Sequence, residues 1–437
     1  MHTPQRTPGE WPRGAATDRV TDHGGGVWSI PVPIPDNPLG HTLVYLLDTD
    51  RGPVLIDTGW DDPAAWDALA DGIAACGASV SDVYGVLVTH HHPDHHGLSG
   101  QVREASGAWI AMHDADIQVV RRTRTAEPML WFGYMAEKLA AAGAPDEHIQ
   151  PLRAAGGTAH AEGYGGESGR RRILPGTRAA LPDRSIDPGE LLDLPGRRLR
   201  AIWTPGHTPG HVCLHLEEAL PHRRDTLDAL PDRPGAVPHT RDDGGHRRRT
   251  DGVPHSPAVL PQPEPYGRGP TPATDRGSGS GSPTGTGGRL FSGDHLLPGI
   301  TPHIGLYEDP DDATVTDPLG DYLDSLERIG RLAPAEVLPA HQYAFSDAAG
   351  RVRELLAHHE ARLTGLHELL ATRPLTAWQL AEAMEWNRPW EQIPYGSRNI
   401  AVSEAEAHLR RLVKLGRAEA GTNSHPVTYR ATKSVSL

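Results

Sequence analysis

The sequence predicts a layered α/β domain followed by a small C-terminal domain, and the first prediction rests on two periodic patterns. Residues 42–47 and 54–56 are runs of β-branched and aliphatic residues, which are typical of buried strands paired in a hairpin. After Pro63, apolar residues recur at helical spacing as far as Gly77, and residues 83–88 return to a buried strand. The resulting β-β-α-β order predicts sheets covered by helices.

The same alternation continues along the rest of the α/β domain, which is predicted to span residues 19–346. Its remaining predicted strands are 109–112, 199–203, 212–216, 290–292 and 336–338, and its remaining predicted helices are 117–120, 129–142 and 319–329.

Two segments are predicted to lie outside any packed core. Residues 1–18 are polar and rich in Pro and Gly, and we expect them to form a loose N-terminal arm. Residues 221–288 are dominated by Pro, Gly, Asp, Arg, Thr and Ser. Such a segment buries too little apolar surface to offset its ordering entropy, so it is predicted to be a disordered insertion within the α/β domain.

The last part of the chain, residues 347–437, is predicted to contain a connector helix and a winged-helix domain. A long amphipathic helix follows Asp347. Capping-box patterns at Thr376 and Ser403 each precede a helical apolar pattern, and a strand pair is predicted within residues 417–430.

Composition restricts the classes of partner and the compartment. The formal net charge of −14 leaves no general basic surface, so nucleic acid is disfavoured as the main partner.

Cys76 and Cys213 are the only cysteines, and they lie far apart in segments predicted to be buried, which suits a reducing cytoplasm. No apolar run approaches the ~18 residues of a spanning helix, and the start resembles no signal peptide, so we expect a cytoplasmic protein without membrane contact.

The strongest chemical signal is Thr89–Gly97, which directly follows a predicted strand. Its pattern His-x-His-x-Asp-His is formed by His90, His92, Asp94 and His95. A strand that delivers a turn to a sheet edge can aim the first two imidazoles at one cation and the Asp-His pair at a second. Imidazole nitrogen and carboxylate oxygen suit zinc, and also iron or manganese. The alternative, a solvated loop that binds metal adventitiously, is disfavoured by the strand-to-turn context.

This motif resembles that of the metallo-β-lactamase superfamily, and the resemblance implies an αββα sandwich. Three further positions match the pattern of the superfamily. His207 follows a strand in Thr-Pro-Gly-His-Thr, and Asp294 follows one in Ser-Gly-Asp-His. His341 ends the last strand after Ala340, where the superfamily usually has Gly.

The resemblance implies a dinuclear site with two divalent cations, zinc being expected and iron or manganese being the alternatives. The implied ligands are His90, His92 and His207 on the first metal, Asp94, His95 and His341 on the second, and Asp294 as a bridge. Two such cations lower the pKa of a bridging water and supply a hydroxide nucleophile. Asp94 is also the expected catalytic residue, orienting the hydroxide and passing a proton to the leaving group. Asp57, in Asp-Thr-Gly, is expected to be a supporting carboxylate, and His91 and His96 are expected to face solvent or support the turn.

The C-terminal part adds a second resemblance. His358-His359-Glu360-x-Arg362-Leu363, together with the winged-helix pattern, looks like the subgroup that includes β-lactamase-like endoribonucleases and thioesterases acting on carrier-bound acyl chains. In the endoribonuclease-like members the small domain can also cover one side of the active-site cleft.

Three functions stay open at this point. The first is hydrolysis of a thioester or a related small acyl ester, free or carrier-bound. The second is a metal-dependent endoribonuclease that would grip phosphates with four basic side chains, Arg410, Arg411, Lys414 and Arg417. The third is a winged-helix nucleic-acid-binding regulator with a vestigial metal site, which the retention of every ligand type disfavours.

Overall fold

The computed structural model describes residues 19–125, 128–157, 179–218, 287–307, 315–421 and 425–432. The predicted arm, 1–18, and nearly all of the predicted insertion, 221–288, lie outside the described residues, so both stay predictions. The described residues all belong to one unit of the chain, Met1–Pro221 with Gly285–Leu437. Among their helices, none is long and apolar enough to cross a membrane.

Two sheets form the middle of the α/β part. The first sheet has seven strands in chain order: β1 (Thr21–Asp22), β2 (Val27–Pro33), β3 (His41–Leu47), β4 (Val54–Ile56), β5 (Gly85–Leu87), β6 (Trp109–Met112) and β7 (Arg184–Ser185). The second sheet has the order β11-β10-β9-β8, with β8 (Leu199–Trp203), β9 (Val212–Leu216), β10 (Arg289–Gly293) and β11 (Glu336–Pro339). Pairing is antiparallel from β1 to β4, parallel from β4 to β7, and parallel again between β10 and β11.

Helices cover the outer faces of both sheets. The helices of the α/β part are α1 (Pro63–Ala75), α2 (Pro93–His96), α3 (Ser99–Ser106), α4 (Asp114–Thr125), α5 (Pro128–Ala141), α6 (Asp146–Gly157) and α7 (Pro318–Leu332). The predicted strands and helices are therefore present, although the strand predicted at 83–88 is shorter, and the layered α/β fold class is confirmed.

The alternation of side chains along each strand explains the layers. On β3, Leu43 and Tyr45 belong to the apolar layer between the two sheets, whereas Val44 and Leu46 pack in the layer that contains α1 and α3. Because both faces of the strand are covered, its residues from Leu43 onward are all buried. This is why the sequence shows a continuous apolar run instead of a polar-apolar alternation.

Two hydrogen bonds join the sheets at one edge and bring the end of β11 beside β3. The Leu43 N–H donates to the Ala340 carbonyl at 2.6 Å. The buried Tyr45 hydroxyl donates to the Pro339 carbonyl at 2.7 Å. The residue that follows, His341, therefore lies next to the start of β3.

In the described residues of the C-terminal part there are three α-helices and a three-stranded sheet. They are α8 (Ala348–Thr372), β12 (Leu375–Thr376), α9 (Ala377–Ala383), α10 (Arg398–Lys414), β13 (Ala418–Ala420) and β14 (Thr428–Ala431), with sheet order β12-β14-β13. Leu363 of α8 and Leu409 of α10 share one apolar core with Leu290 and Val337 of the second sheet. The assignment of this part as a winged-helix domain, and its boundary at residue 347, stay predictions.

One of the two predicted capping boxes is present, and the prediction of the other is wrong. Thr376 caps α9 together with Gln379, as the sequence predicts. The next helix, however, begins at Arg398, so Ser403 lies inside it. The Ser403 hydroxyl accepts a hydrogen bond from the Leu306 N–H at 2.9 Å. The Ser403 hydroxyl therefore makes a tertiary hydrogen bond and does not cap a helix. The local sequence pattern could not distinguish these two roles of a serine hydroxyl.

Two glycines inside helices should respond oppositely to alanine. At Gly72 of α1 an added Cβ would lie 2.2 Å from Cγ2 of Ile30, whereas at Gly365 of α8 it would meet nothing within 4 Å. We expect Gly72→Ala to lower the free energy of unfolding by about 1–3 kcal/mol through overpacking. Gly365→Ala should raise it by about 0.5–1 kcal/mol through backbone entropy. Urea unfolding of both variants checks this, and equal effects would contradict the packing of α1 on β2.

Candidate metal centre

The turn after β5 carries the histidine-rich motif, and its backbone is fixed from both sheets. The Val212 N–H, at the start of β9, donates to the Thr89 carbonyl at 2.9 Å. On the other side, the Thr89 N–H donates to Oδ1 of Asp57 at 2.8 Å. Asp57 itself has φ 64°, which is uncommon outside glycine and is typical of strained positions at functional sites.

The short helix α2 divides the motif into two pairs. Pro93 occupies the first helical turn, where its missing N–H costs nothing. His90 and His92 precede the helix, whereas Asp94 and His95 lie within it. The change from extended to helical backbone sends the two pairs in different directions.

His90, His92 and His207 form a first group around a common point. The distance between His90 Nε2 and His92 Nδ1 is 3.0 Å. His207 Nε2 lies 3.2 Å from His90 Nε2 and 3.1 Å from His92 Nδ1. Three nitrogens bound to a tetrahedral zinc ion lie about 3.3 Å apart, so the triangle has nearly the size that zinc requires.

Asp94, His95 and His341 form a second group beside the first. Asp94 Oδ2 lies 3.4 Å from His95 Nε2 and 3.3 Å from His341 Nε2. Asp294 stands between the groups. Its Oδ1 lies 3.4 Å from His95 Nε2 and 3.2 Å from His341 Nε2, and its Oδ2 lies 3.5 Å from His207 Nε2. One oxygen thus faces each group, as a bridging carboxylate requires, and the structure brings all seven predicted side chains together.

Buried polar atoms at this point fit a cation. His95 Nε2, His341 Nε2 and Asp294 Oδ1 are buried and have no hydrogen-bond partner. Buried polar atoms are nearly always satisfied in native proteins, so three that converge indicate a ligand. An ion held by imidazole nitrogens and a carboxylate oxygen satisfies all three, and the donor set suits zinc, iron or manganese.

Each imidazole has a partner on the side away from the centre. The contacts are His90 Nδ1 to Thr89 Oγ1 (3.1 Å), His92 Nε2 to the Tyr307 hydroxyl (2.5 Å), His95 Nδ1 to Asp57 Oδ2 (2.8 Å), His207 Nδ1 to the His303 carbonyl (2.7 Å) and His341 Nδ1 to the His41 carbonyl (3.0 Å). A carbonyl or carboxylate can only accept, so the nitrogen that faces it carries the proton. In the neutral ring, the inward nitrogen of His95, His207 and His341 is therefore the one that offers a lone pair to a metal.

Burial and neighbouring charges set the protonation of the two groups. Burial lowers the pKa of His90, His92 and His207, which keeps these rings neutral. Burial would raise the pKa of Asp294, but the His341 and His95 imidazoles hold it well below its usual range. Burial lowers the pKa of His341, but the Asp294 and Asp94 carboxylates raise it more, to about 10. The first group is thus a neutral donor set, and the carboxylates of Asp94 and Asp294 are ionised.

Several supporting residues were not predicted from the sequence. Asp116 of α4 is fully buried and accepts hydrogen bonds from the His91 N–H (2.9 Å), the Thr208 hydroxyl (2.8 Å) and the Gly210 N–H (2.6 Å). It therefore ties the histidine-rich turn to the loop that carries His207. The position of Asp116 shortly after the end of a strand is a sequence feature that could have indicated its role. No comparable sequence feature marks Tyr307.

Neither of the two spare histidines of the motif is exposed to solvent, and His91 contacts the carboxylate that holds the turn. His91 Nδ1 lies 3.0 Å from Asp116 Oδ2. His96 is buried, and burial lowers its pKa to about 3. Asp57, which contacts His95 without facing the other ligands, lies where a supporting carboxylate was expected.

Comparison with known proteins agrees with this geometry. The family model of the metallo-beta-lactamase superfamily matches residues 37–219. A solved metallo-beta-lactamase family protein from Thermus thermophilus has a TM-score of 0.62 and 27% sequence identity, and the match covers 93% of this chain and 99% of that one. Together these similarities support membership of the metallo-β-lactamase superfamily, whose members are usually hydrolytic enzymes.

Two curated relatives add to the comparison. A probable metallo-hydrolase of Bacillus subtilis (strain 168), YqjP, is 23% identical over 360 residues, which are 82% of this chain and 84% of that protein. A hydroxyacylglutathione hydrolase of Rhizobium meliloti (strain 1021) is 49% identical over 49 residues, or 11% of this chain. The chain matches only 19% of the length of that enzyme.

The Asp57 carboxylate should matter most for the second group, because it contacts His95 directly and reaches His90 only through Thr89. In Asp57→Asn the amide oxygen can still accept a hydrogen bond from His95 Nδ1, but the negative charge beside His95 is lost. The amide NH₂ would then face the N–H and hydroxyl donors of Thr89, which it cannot accept from. We expect the second zinc ion to bind about 10–100-fold more weakly. Zinc titration against a chromogenic chelator checks this. Asp62→Asn is the matched control, because Asp62 caps α1 and Asn caps a helix equally well. Equal zinc affinity in both variants would contradict the role of Asp57.

Proposed function

We propose that this protein is a dinuclear metal-dependent hydrolase that acts on a thioester or a related small acyl ester. The seven proposed metal ligands are His90, His92, Asp94, His95, His207, Asp294 and His341. The observation that carries the proposal is the position of Asp294, whose two oxygens face two separate groups of ligands. We expect zinc, with iron or manganese as alternatives, and a cytoplasmic location stays a prediction from the sequence.

Two bound cations would supply a hydroxide nucleophile near neutral pH and polarise the carbonyl oxygen of the substrate. A nucleophilic serine or cysteine is then not needed, and the properties of the two cysteines agree with a mechanism that does not use them. Cys213 is buried, and burial raises its pKa to about 12, while burial raises that of Cys76 to about 11. Both thiols are therefore protonated at neutral pH and poor nucleophiles.

Asp94 is the proposed catalytic residue. Its side chain is 15% exposed, whereas those of His95 and His341 are 0% and 1% exposed, so Asp94 is the most accessible member of the second group. The Thr42 hydroxyl donates to Asp94 Oδ2 at 3.3 Å and fixes its orientation. A carboxylate placed there can hold the attacking water and then carry a proton to the leaving thiolate or alkoxide.

The local similarity to a hydroxyacylglutathione hydrolase supports a thioester as the substrate class, since the name of that enzyme describes a thioester substrate. A thiolate is a good leaving group, so thioester hydrolysis depends less on protonation of the leaving group than amide hydrolysis does. A small acyl thioester and a carrier-bound acyl chain fit the proposal equally.

The endoribonuclease hypothesis loses its main support from the sequence. The four basic side chains proposed to grip phosphates are each paired with a carboxylate of the same chain: Arg410 with Glu406 (2.9 Å), Arg411 with Asp317 (2.9 Å), Lys414 with Asp317 (3.3 Å) and Arg417 with Glu360 (3.0 Å). A cation that is already paired with a carboxylate neutralises a phosphate less effectively, so it adds less to the binding of a phosphate backbone. The regulator hypothesis is disfavoured because the complete ligand set converges.

Removal of the Asp94 charge should abolish most of the activity. We expect Asp94→Asn to lower kcat/KM for an acyl thioester by about 10²–10⁴-fold, the usual contribution of a positioned acid-base group. The rate is measured by thiol release, with bound zinc quantified in the same sample. Asp114→Asn, an exposed residue at the start of α4, is the matched control and should keep the wild-type rate. Equal rates in Asp94→Asn and the wild type would show that a contaminant is responsible.

Substrate class and metal dependence can be separated in one series. Zinc-loaded protein should hydrolyse acyl thioesters and leave single-stranded RNA intact, because the four basic side chains proposed to grip phosphates are already paired. Chelation should remove the thioester activity, and stepwise addition of zinc, iron or manganese should show which cation restores it. Cleavage of RNA without thioester hydrolysis would reverse the ranking of the two functions.

A further inference from the structure

One segment connects the candidate metal centre to the C-terminal helices. This segment, His303–Tyr307, is named the strap here. On its inner side, the His303 carbonyl accepts a hydrogen bond from His207 Nδ1 at 2.7 Å. The Tyr307 hydroxyl lies 2.5 Å from His92 Nε2. The strap therefore contacts two of the three imidazoles of the first group.

The outer side of the strap is fixed to α10 at two consecutive residues. The Leu306 N–H donates to the Ser403 hydroxyl at 2.9 Å. The His303 ring contacts Oε2 of Glu404 through Nδ1 at 3.1 Å. Between them, Gly305 packs so closely that an added Cβ would lie 2.5 Å from His303 Nε2 and 3.3 Å from Ser403 Oγ. The strap is thus in direct contact with α10 at His303 and Leu306.

Glu404 is itself held rigidly from α8. It is 8% exposed, and Arg362 donates from Nη1 to its Oε1. Arg362 also donates from Nη2 to the Glu385 carbonyl at 2.8 Å and lies over the Trp386 ring at 5.2 Å. Burial would raise the pKa of Glu404, but the contacts with His303 and Arg362 lower it to about 2, so the carboxylate stays ionised.

We propose that Glu404, held by Arg362, is a positioning residue for the candidate metal centre. It fixes the strap, and the strap orients His207 through the His303 carbonyl and His92 through the Tyr307 hydroxyl. This proposal rests on the proposed function, because it takes these imidazoles to be metal ligands. It assigns a role to Arg362 of the His-His-Glu-x-Arg pattern, which the proposed catalysis does not use.

The strap should act on one metal site only. In the second group, His95 is oriented by Asp57 and His341 by the His41 carbonyl, and both partners belong to the first sheet and its loops. Neither contact passes through the strap. A general loss of stability would weaken both sites, whereas a loss of positioning should weaken the first site alone.

The test compares Glu404→Gln with Glu406→Gln in the full-length, zinc-loaded protein. Both glutamates lie on α10 and pair with an arginine, and their side chains are 10% and 18% exposed. Supporting partners of ligands typically change metal affinity by 10–100-fold, and because Glu404 acts through the strap we expect about tenfold weaker zinc binding at the first site. The two zinc dissociation constants are measured by chelator competition. When cadmium replaces zinc in Glu404→Gln, the cadmium NMR resonance of the first site should shift and that of the second site should not.

Glu406→Gln should keep both zinc affinities of the wild type. First-site affinity unchanged in Glu404→Gln would overturn the proposal, and so would equal weakening of both sites together with a lower Tm. If Glu404→Gln does not fold, His303→Ala breaks the same link from the strap side and must show the same selective loss. When both single variants fold, the double variant should show no further loss, because the two changes remove one link.

Failure of the proposed function would look different. A wild-type protein that binds two zinc ions but hydrolyses no acyl ester would overturn the substrate class and leave the role of Glu404 intact. A zinc-loaded wild type that hydrolyses thioesters, with a Glu404→Gln variant of unchanged first-site affinity, would overturn only the positioning role.

Discussion

The structure depends on one constraint: five imidazoles and two carboxylates meet in a largely buried space. A buried polar atom without a partner is costly, and a buried uncompensated charge costs more. The fold meets this constraint by giving each ring an outward partner. Asp57 supplies a carboxylate, and His41 and His303 supply backbone carbonyls. Only the inward atoms are left without a protein partner, and these are the atoms that could hold a cation.

The two-sheet architecture is what brings these residues together. Four strands of the two sheets, β5, β8, β10 and β11, each end just before one part of the ligand set. The Thr89–Val212 hydrogen bond and the contacts of β3 with the end of β11 hold those strand ends at one side of the sandwich. Asp116 then joins two of the loops directly. Rigid strands therefore position loop residues, as is usual for sites built on a layered scaffold.

The C-terminal part is a structural component of the same arrangement. Its helices share an apolar core with the second sheet, and α10 contacts the strap that lies against His92 and His207. Its basic side chains, which by sequence alone suggest a phosphate-binding surface, pair within the chain. The geometry thus favours a role for this part in completing the site over a role in binding nucleic acid.

The sequence by itself indicated most of the strands and helices through hydrophobic periodicity, and His90, His92, Asp94 and His95 through the histidine motif, because both are local properties. The resemblance to the metallo-β-lactamase superfamily added His207, Asp294 and His341 as candidate ligands. The sequence also placed each ligand directly after a strand. It could not determine the partners of those ligands. Asp116, Tyr307 and Glu404 lie far from them along the chain, and Ser403 carried a helix-cap pattern that a tertiary hydrogen bond overrides. Only the packed structure decided these contacts, because they form between elements whose relative positions are set by the burial of apolar faces, and no local pattern encodes that.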